Sequence, residues 1–273
     1  MTVEADTDAL AARDLLVSAA REAGTLALEY FNPGARTSAH VVTKAGGSPV
    51  TDADLAADAL LKRRLQEALP DAGWLSEETV DDFERLSRRS LIIVDPIDGT
   101  RAFVTGDSRW VVSVAFVVGE RPVAGVVYAP ALDEIYAAAR GHGATFNGAT
   151  LTAAAGWPPH VAAGPKLMIE AMAAELGAAI EIVPRVPALA YRMCLAARGL
   201  IDFAVAAENS HDWDIAAADL LLEESGARLV DASGERLRYN ARHVRRGALL
   251  AASDLGAPRL IKGFRAATAS PPN

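Results

Sequence analysis

The sequence predicts a mixed α/β (α+β) protein, and three observations lead there. Apolar residues recur at the spacing of one helix face over Asp6–Phe31. Runs rich in β-branched residues at Leu91–Val94, Val111–Val118 and Val123–Tyr128 read as strands. From Gly156 onward the chain turns Ala-rich and alternates short strand-like runs with helical ones. Its 273 residues, 51% of them hydrophobic and 23% charged, suffice for a sizeable core and are too apolar for a disordered chain.

Each element has its own signals. In the first helix Leu10, Leu15, Leu16, Ala19, Ala23, Leu26 and Ala27 form the apolar face, and Asn32-Pro33-Gly34 ends it. The polar stretch with Lys44, Gly46, Gly47, Ser48 and Pro49 predicts a mobile loop. Thr51 caps a second helix running to about Leu69, with Asp54 placed to complete a capping box, and Pro70-Asp71 stops it. Arg121-Pro122 supplies the turn between the last two β-branched runs. Helices are expected at Leu189–Ala197 and Trp213–Ser225, the second closed by Gly226. Strands are expected at Leu200–Val205 and Ala248–Ala252, and a frayed tail at Ala266–Asn273. Trp157-Pro158-Pro159 reads as the connection between two halves, 1–155 and 156–273.

Composition excludes several classes of function. The net charge of −8, from 27 basic and 35 acidic residues, argues against a nucleic-acid polymer, whose phosphates need Lys and Arg. No apolar run approaches the roughly 18–20 residues that cross a bilayer, so no membrane partner is expected. The acidic, polar start Met1–Asp8 does not resemble a secretory signal. Cys194 is the single cysteine; it excludes an internal disulfide, fits a reducing cytoplasm and reads as a buried structural thiol.

The most informative string is Leu91-Ile92-Ile93-Val94-Asp95-Pro96-Ile97-Asp98-Gly99-Thr100. A buried strand runs into Asp95, and Pro96 has no N–H for a central ladder, so a turn is expected there with two carboxylates at the strand's end. Gly99-Thr100 then opens a short helix whose free amides suit an anion. Adjacent carboxylates stay ionised only beside strong positive charge, and hard cations such as Mg²⁺ take oxygen ligands shared with phosphates. The pattern therefore points to metal-assisted phosphoryl chemistry. Two further pieces could complete the site: the acids of Trp74-Leu75-Ser76-Glu77-Glu78-Thr79, and Asp214 in His211-Asp212-Trp213-Asp214, ahead of the small residues Ala216-Ala217-Ala218.

Asp-Pro-Ile-Asp-Gly-Thr at Asp95–Thr100, with Trp-Asp-Ile-Ala-Ala-Ala at Trp213–Ala218 and the upstream Glu77-Glu78, resembles the paired signature of the inositol monophosphatase superfamily. The resemblance spans roughly residues 10 to 260. It implies a layered αβαβα sandwich of the sugar-phosphatase type, a homodimer, and hydrolysis of a small phosphorylated metabolite by metal-activated water. Carried over, it implies that Glu77, Asp95 and the Ile97 carbonyl hold one Mg²⁺ and that Asp95, Asp98 and Asp214 hold a second. A third, weaker ion would touch Glu77 and the substrate phosphate. The Gly99 and Thr100 amides would bind phosphate, while Thr100 and Asp54 orient water near Glu77.

Plainer roles compete with these. Asp95 and Asp98 could belong to a solvated turn, Glu77 and Glu78 to an acidic loop continued by Asp81, Asp82 and Glu84, and Asp214 to a helix start. Thr51 and Asp54 are fully explained as a helix cap, and Asp52 is the rival of Asp54. Asp212 reads as a decoy, His211 as a helix-start or core residue, and Trp213 as packing.

For the substrate, Arg101 after Thr100 is more like the CysQ-type and histidinol-phosphatase-like branches, and Val186-Pro187-Ala188 in place of a Gly-Thr pair argues against inositol; of these, a CysQ-type nucleotidase acting on adenosine 3′,5′-bisphosphate is the leading expectation. Inositol-1-phosphate and histidinol phosphate are the alternatives, and a non-catalytic binding protein of the same fold the remote one. On the substrate side the candidates are Lys44, Arg101, Arg185 and Glu208, with Arg192 as a second cation and Asn209 or Ser210 in place of Glu208.

Overall fold

The structure, a computed structural model, describes residues 3–154 and 156–269, with only the backbone described for 3–8. Helix α1 (Val3–Leu28) leads into the hairpin β1 (Val41–Thr43) and β2 (Pro49–Thr51), then helix α2 (Asp52–Ala68). The strands β3 (Gly73–Ser76), β4 (Ser90–Asp98), β5 (Val111–Val118), β6 (Arg121–Ala129), β7 (Glu134–Ala139), β8 (Ala144–Phe146) and β9 (Ala149–Thr150) form a seven-stranded sheet in chain order. The first pair is parallel and the rest are antiparallel. The short helix α3 (Thr100–Thr105) follows β4.

The remaining chain supplies β10 (Val161–Ala163), α4 (Lys166–Leu176), β11 (Glu181–Ile182), α5 (Leu189–Ala197), β12 (Phe203–Ala206), α6 (Asp212–Glu224), β13 (Ala227–Asp231), β14 (Leu249–Ser253) and α7 (Ala257–Ala269). Its strands form a five-stranded sheet in the order β11-β10-β12-β14-β13. Helices α1 and α2 cover the outer face of the large sheet, α5 and α6 lie between the sheets, and α4 and α7 cover the far side. This is the αβαβα layering that the resemblance implied.

The central strands are buried on both faces, which explains their continuous apolar runs. Ile92, Val94, Val112, Val114 and Val126 alternate toward Leu16, Ala19, Leu61 and Leu65 of the outer helices. Leu91, Ile93, Ala115, Val117 and Val127 alternate toward Ala216, Ala217, Leu220 and Leu221 of α6. The run of alanines brings α6 unusually near the sheet: a Cβ on Gly125 would sit 2.9 Å from the Ala217 carbonyl oxygen. That closeness carries the first turn of α6 to the end of β4.

Several boundaries differ from the sequence reading. Helix α1 stops at Leu28, short of Phe31, because the Tyr30 carbonyl accepts from the Ser38 amide and the Thr37 hydroxyl. The expected loop around Lys44 is the turn of an antiparallel hairpin, with the Lys44 amide donating to the Ser48 carbonyl. Pro96 does not end β4; the ladder to β5 slips between Asp95 and Asp98, and the proline sits in that irregularity, where no amide is required. The strand expected from Leu200 begins at Phe203, because the Leu200 amide still closes α5 and Asp202 caps the amides of His160 and Val161. Ala266–Ala269 are helical, not frayed, since α7 buries Leu260 and Phe264; 270–273 lie outside the described residues. Among the described residues no helix is long and apolar enough to cross a membrane.

Candidate active site

Asp95 has the same strand parity as Leu91 and Ile93, so it points toward α6. Its Oδ1 accepts from the Ile97 amide at 3.1 Å. Asp98 lies beyond the ladder slip, and its Oδ2 accepts from the Ala190 amide in the first turn of α5 at 2.6 Å. Asp214 is held in a capping box at the start of α6, its Oδ2 accepting from the His211 amide at 2.7 Å. Glu77 follows β3 and extends the parallel ladder, its amide donating to the Val94 carbonyl at 3.2 Å. Carboxylate oxygens of Glu77, Asp95 and Asp214 all lie within 4.8 Å of one another.

Burial pushes the Asp95 and Asp214 carboxyls well above the ordinary range, and the charges of Glu77 and Asp98 add to it in both; the Asp214 charge raises Asp95 further, while hydrogen bonds from the His211 amide and with Asp95 oppose the shift of Asp214. Burial raises Asp98 to about 7, against the amide bonds from Ala190 and Leu189. Such a group of oxygens is costly without a compensating cation. The donor set, all oxygen and mostly carboxylate, fits a hard divalent ion.

Asp54 lies beside this group. Its Oδ2 accepts from the Thr51 amide at 2.8 Å and the Thr51 hydroxyl at 2.5 Å. The Thr100 hydroxyl lies 3.2 Å from Asp54 Oδ1 and 3.0 Å from the Ile97 carbonyl oxygen. Burial raises Asp54 to about 6; the Thr51 hydrogen bonds oppose that shift and the Glu77 charge reinforces it. The rival Asp52 is exposed. Gly99 opens α3 at φ +92°, a left-handed conformation natural to glycine, and a Cβ there would sit 3.2 Å from that of Ala188.

The Lys44 ammonium bridges Glu77 Oε1 at 3.0 Å and Glu78 Oε1 at 2.7 Å. Burial raises Glu78 to about 7, against the Lys44 hydrogen bond. Arg101 reaches back to the Gly47 carbonyl at 2.8 Å and ties the hairpin turn to α3. Arg192 is half-buried, donates to the Val205 carbonyl at 2.9 Å, and feels the charges of Asp98 and Arg185. Arg185 and Glu208 are exposed, and their side chains make no hydrogen bond or ion pair among the described residues. Asn209 is exposed and contacts Arg245, while the Ser210 hydroxyl is buried without a partner among the described residues.

Asp212 turns away from the cluster and pairs with Arg246 at 2.6 Å. His211 is the helix cap, stacked on Trp213 with ring centroids 4.6 Å apart. Cys194 is buried as a free thiol. Sequence reasoning passed over Asp58, one helical turn beyond Asp54, which accepts hydrogen bonds from Ser76 and Thr79 on either side of Glu77-Glu78. The i, i+4 spacing was the available signal.

Residues 10–268 match the inositol monophosphatase family. The chain belongs to that family. Among its relatives, "Inositol monophosphatase 2" of Solanum lycopersicum is 30% identical over 254 residues, covering 85% of this chain and 91% of the relative. A "3'(2'),5'-bisphosphate nucleotidase CysQ" of Aggregatibacter actinomycetemcomitans is 30% identical over 240 residues, covering 83% and 87%. The solved IMPase of Thermotoga maritima superposes with a TM-score of 0.79 at 25% identity, covering 93% of this chain and 96% of that one. As a member of the inositol monophosphatase family the chain is a metal-dependent phosphoric monoester hydrolase. Relatives named for different substrates match it over similar lengths, so the family alone does not select among them.

Proposed function

We propose that this chain is a Mg²⁺-dependent phosphomonoesterase acting on adenosine 3′,5′-bisphosphate. The observation that carries the reading is the convergence of Glu77, Asp95 and Asp214 from three separate segments, with Asp98 beside them. Glu77, Asp95 and the Ile97 carbonyl would hold one ion; Asp95, Asp98 and Asp214 a second; Glu77 and the substrate a third. When bound, Mg²⁺ supplies Lewis acidity and neutralises charge on the phosphoryl oxygens.

The chain's own residues then have distinct tasks. The Gly99 and Thr100 amides, at a helix start with no intrahelical acceptor, hold phosphate oxygens. The Thr100 hydroxyl, held by Asp54 Oδ1, orients the attacking water near Glu77 and relays the water's proton to the Asp54 carboxylate. The water oxygen forms the new P–O bond as the ester P–O bond breaks, and the leaving oxygen takes a proton from solvent water while Asp54 returns its proton to solvent. Arg185 and Arg192, next to each other on the Asp98 side, favour a substrate with a second anionic group. Lys44 and Arg101 shape the hairpin rim, and exposed Glu208 would meet the sugar. A homodimer in a reducing cytoplasm completes the reading, and sedimentation checks the first part of it.

Inositol-1-phosphate is the second reading, favoured by the tomato relative. The test is phosphate release from a substrate panel at fixed Mg²⁺, with chelator controls. Chelator-sensitive release, fastest from adenosine 3′,5′-bisphosphate, is expected. Faster release from inositol-1-phosphate or histidinol phosphate overturns the substrate, and a silent panel without calorimetric Mg²⁺ binding overturns the catalytic reading.

A further inference from the structure

We propose that Asp58 is a positioning residue for the metal site, clamping the Ser76–Thr79 segment so that Glu77 faces the other carboxylates; this rests on Glu77 being a metal ligand. Asp58 is buried on α2, one turn after Asp54. Both of its oxygens are used: Oδ1 accepts from the Ser76 hydroxyl at 2.5 Å, and Oδ2 from the Thr79 hydroxyl at 2.8 Å. The two donors flank Glu77-Glu78.

Each hydroxyl is engaged a second time. The Ser76 oxygen accepts from the Glu78 amide at 3.2 Å, and the Thr79 oxygen accepts from the Trp74 indole N–H at 3.3 Å. The chain of bonds therefore runs inward from both ends and terminates on the one carboxylate. The Glu77 amide is fixed from the opposite side by the Val94 carbonyl. Thus the backbone around Glu77 is tied to the sheet by its amide and to α2 by the hydroxyls beside it.

The clamp has work to do because Glu77 is repelled by Asp95 and Asp214, and β3 is an edge strand with a neighbour on one side only. A free edge would let the segment swing away from the other carboxylates, and the Lys44 ammonium already competes for Glu77 Oε1. Ordering energy spent before metal binding is not lost on binding, so a fixed ligand raises affinity. Groups that orient a ligand in this way typically change metal affinity about 10–100-fold.

The test uses Asp58→Asn in the full chain, because an amide nitrogen cannot accept from a hydroxyl, so one arm of the clamp must break. A second variant, Ser76→Ala with Thr79→Val, removes both donors and leaves α2 untouched. Isothermal calorimetry with MgCl₂ reads the affinity directly. Both folded variants are expected to bind Mg²⁺ about 10–100-fold more weakly. Their kcat at saturating Mg²⁺ should stay within a few-fold of wild type, and Asp58→Glu should recover part of the affinity. Wild-type affinity in either folded variant overturns the clamp. A kcat that stays lost at saturating Mg²⁺ overturns it too. A wild-type protein that binds no Mg²⁺ overturns instead the reading of Glu77 on which the clamp rests.

Discussion

Replacing Asp54 by Asn separates a helix cap from a group that handles water. At pH 8 the ionised Asp54 side chain is a liability to the metal-free fold. Its carboxyl is raised from 3.8 to about 6, and at about 1.4 kcal/mol per pH unit that difference costs about 3 kcal/mol. The sign follows from linkage: the folded state holds the proton more tightly, so the cost is absent below about pH 4 and present in full above about pH 6. Asn removes the charge and keeps one oxygen for the Thr51 amide and hydroxyl, which share Oδ2, but its amide nitrogen replaces Oδ1, the oxygen that faces the Thr100 hydroxyl, at a cost of about 1 kcal/mol. In chelator at pH 8, Asp54→Asn should therefore be more stable by about 2 kcal/mol, melting about 4 °C higher. The gain should shrink below pH 6 and be gone by about pH 4. Turnover at saturating Mg²⁺ should fall at least about 100-fold, because the amide cannot take a proton through Thr100. Thermal melts across pH and a phosphate-release assay read both sides. A variant that melts lower at every pH and turns over within about threefold of wild type would refute the reasoning and leave Asp54 as a cap alone.

Two further predictions follow from the same electrostatics. Asp98→Asn should abolish Mg²⁺-dependent phosphate release and the Mg²⁺-induced rise in melting temperature, which for wild type at a hundredfold excess over Kd corresponds to about 2.7 kcal/mol. It should melt no lower than wild type in chelator, and near-normal turnover would sink the site assignment. Asp219, buried with the Tyr239 hydroxyl on its Oδ2, is raised to about 6 by that burial, so it destabilises the fold as pH rises through 6. Asp219→Asn should flatten the fall in the urea midpoint between about pH 4 and about pH 6; a profile parallel to wild type would show that Asp219 is not the group responsible.

The fold was legible where pattern and element coincide. The capping box at Thr51 and Asp54, the strand pair at 111–129 and helix α5 needed only local spacing. Pro96 misled because the rule against proline in a ladder presumes an uninterrupted one, and the slip between Asp95 and Asp98 supplies the exception. Short strands such as β10 and β11 carry too few residues to show a period, and they exist through pairing with distant chain. Within the site, Asp95 and Asp214 stand in distinctive strings, so their residue types could be singled out before their positions were known. Asp58 could not, because its meaning lies in hydroxyls that only the folded sheet brings to it. The pairing of Lys44 with both Glu77 and Glu78 likewise depends on the hairpin turn folding back over the end of β3.

Helix α6 has a consequence for the order of events during synthesis. It seals the inner face of the large sheet against Gly125 and also delivers Asp214 to the acids at the end of β4. A nascent chain that has emerged only as far as β9 has three of the four acids, but one face of its main sheet is bare. On the proposed ligand set, the ion that needs Asp214 would have no complete site at that stage. Asp214 arrives with the segment that closes the interior, so completion of the acidic cluster and burial of the inner sheet face coincide, and products truncated before α6 should be recognisable by exposed apolar surface.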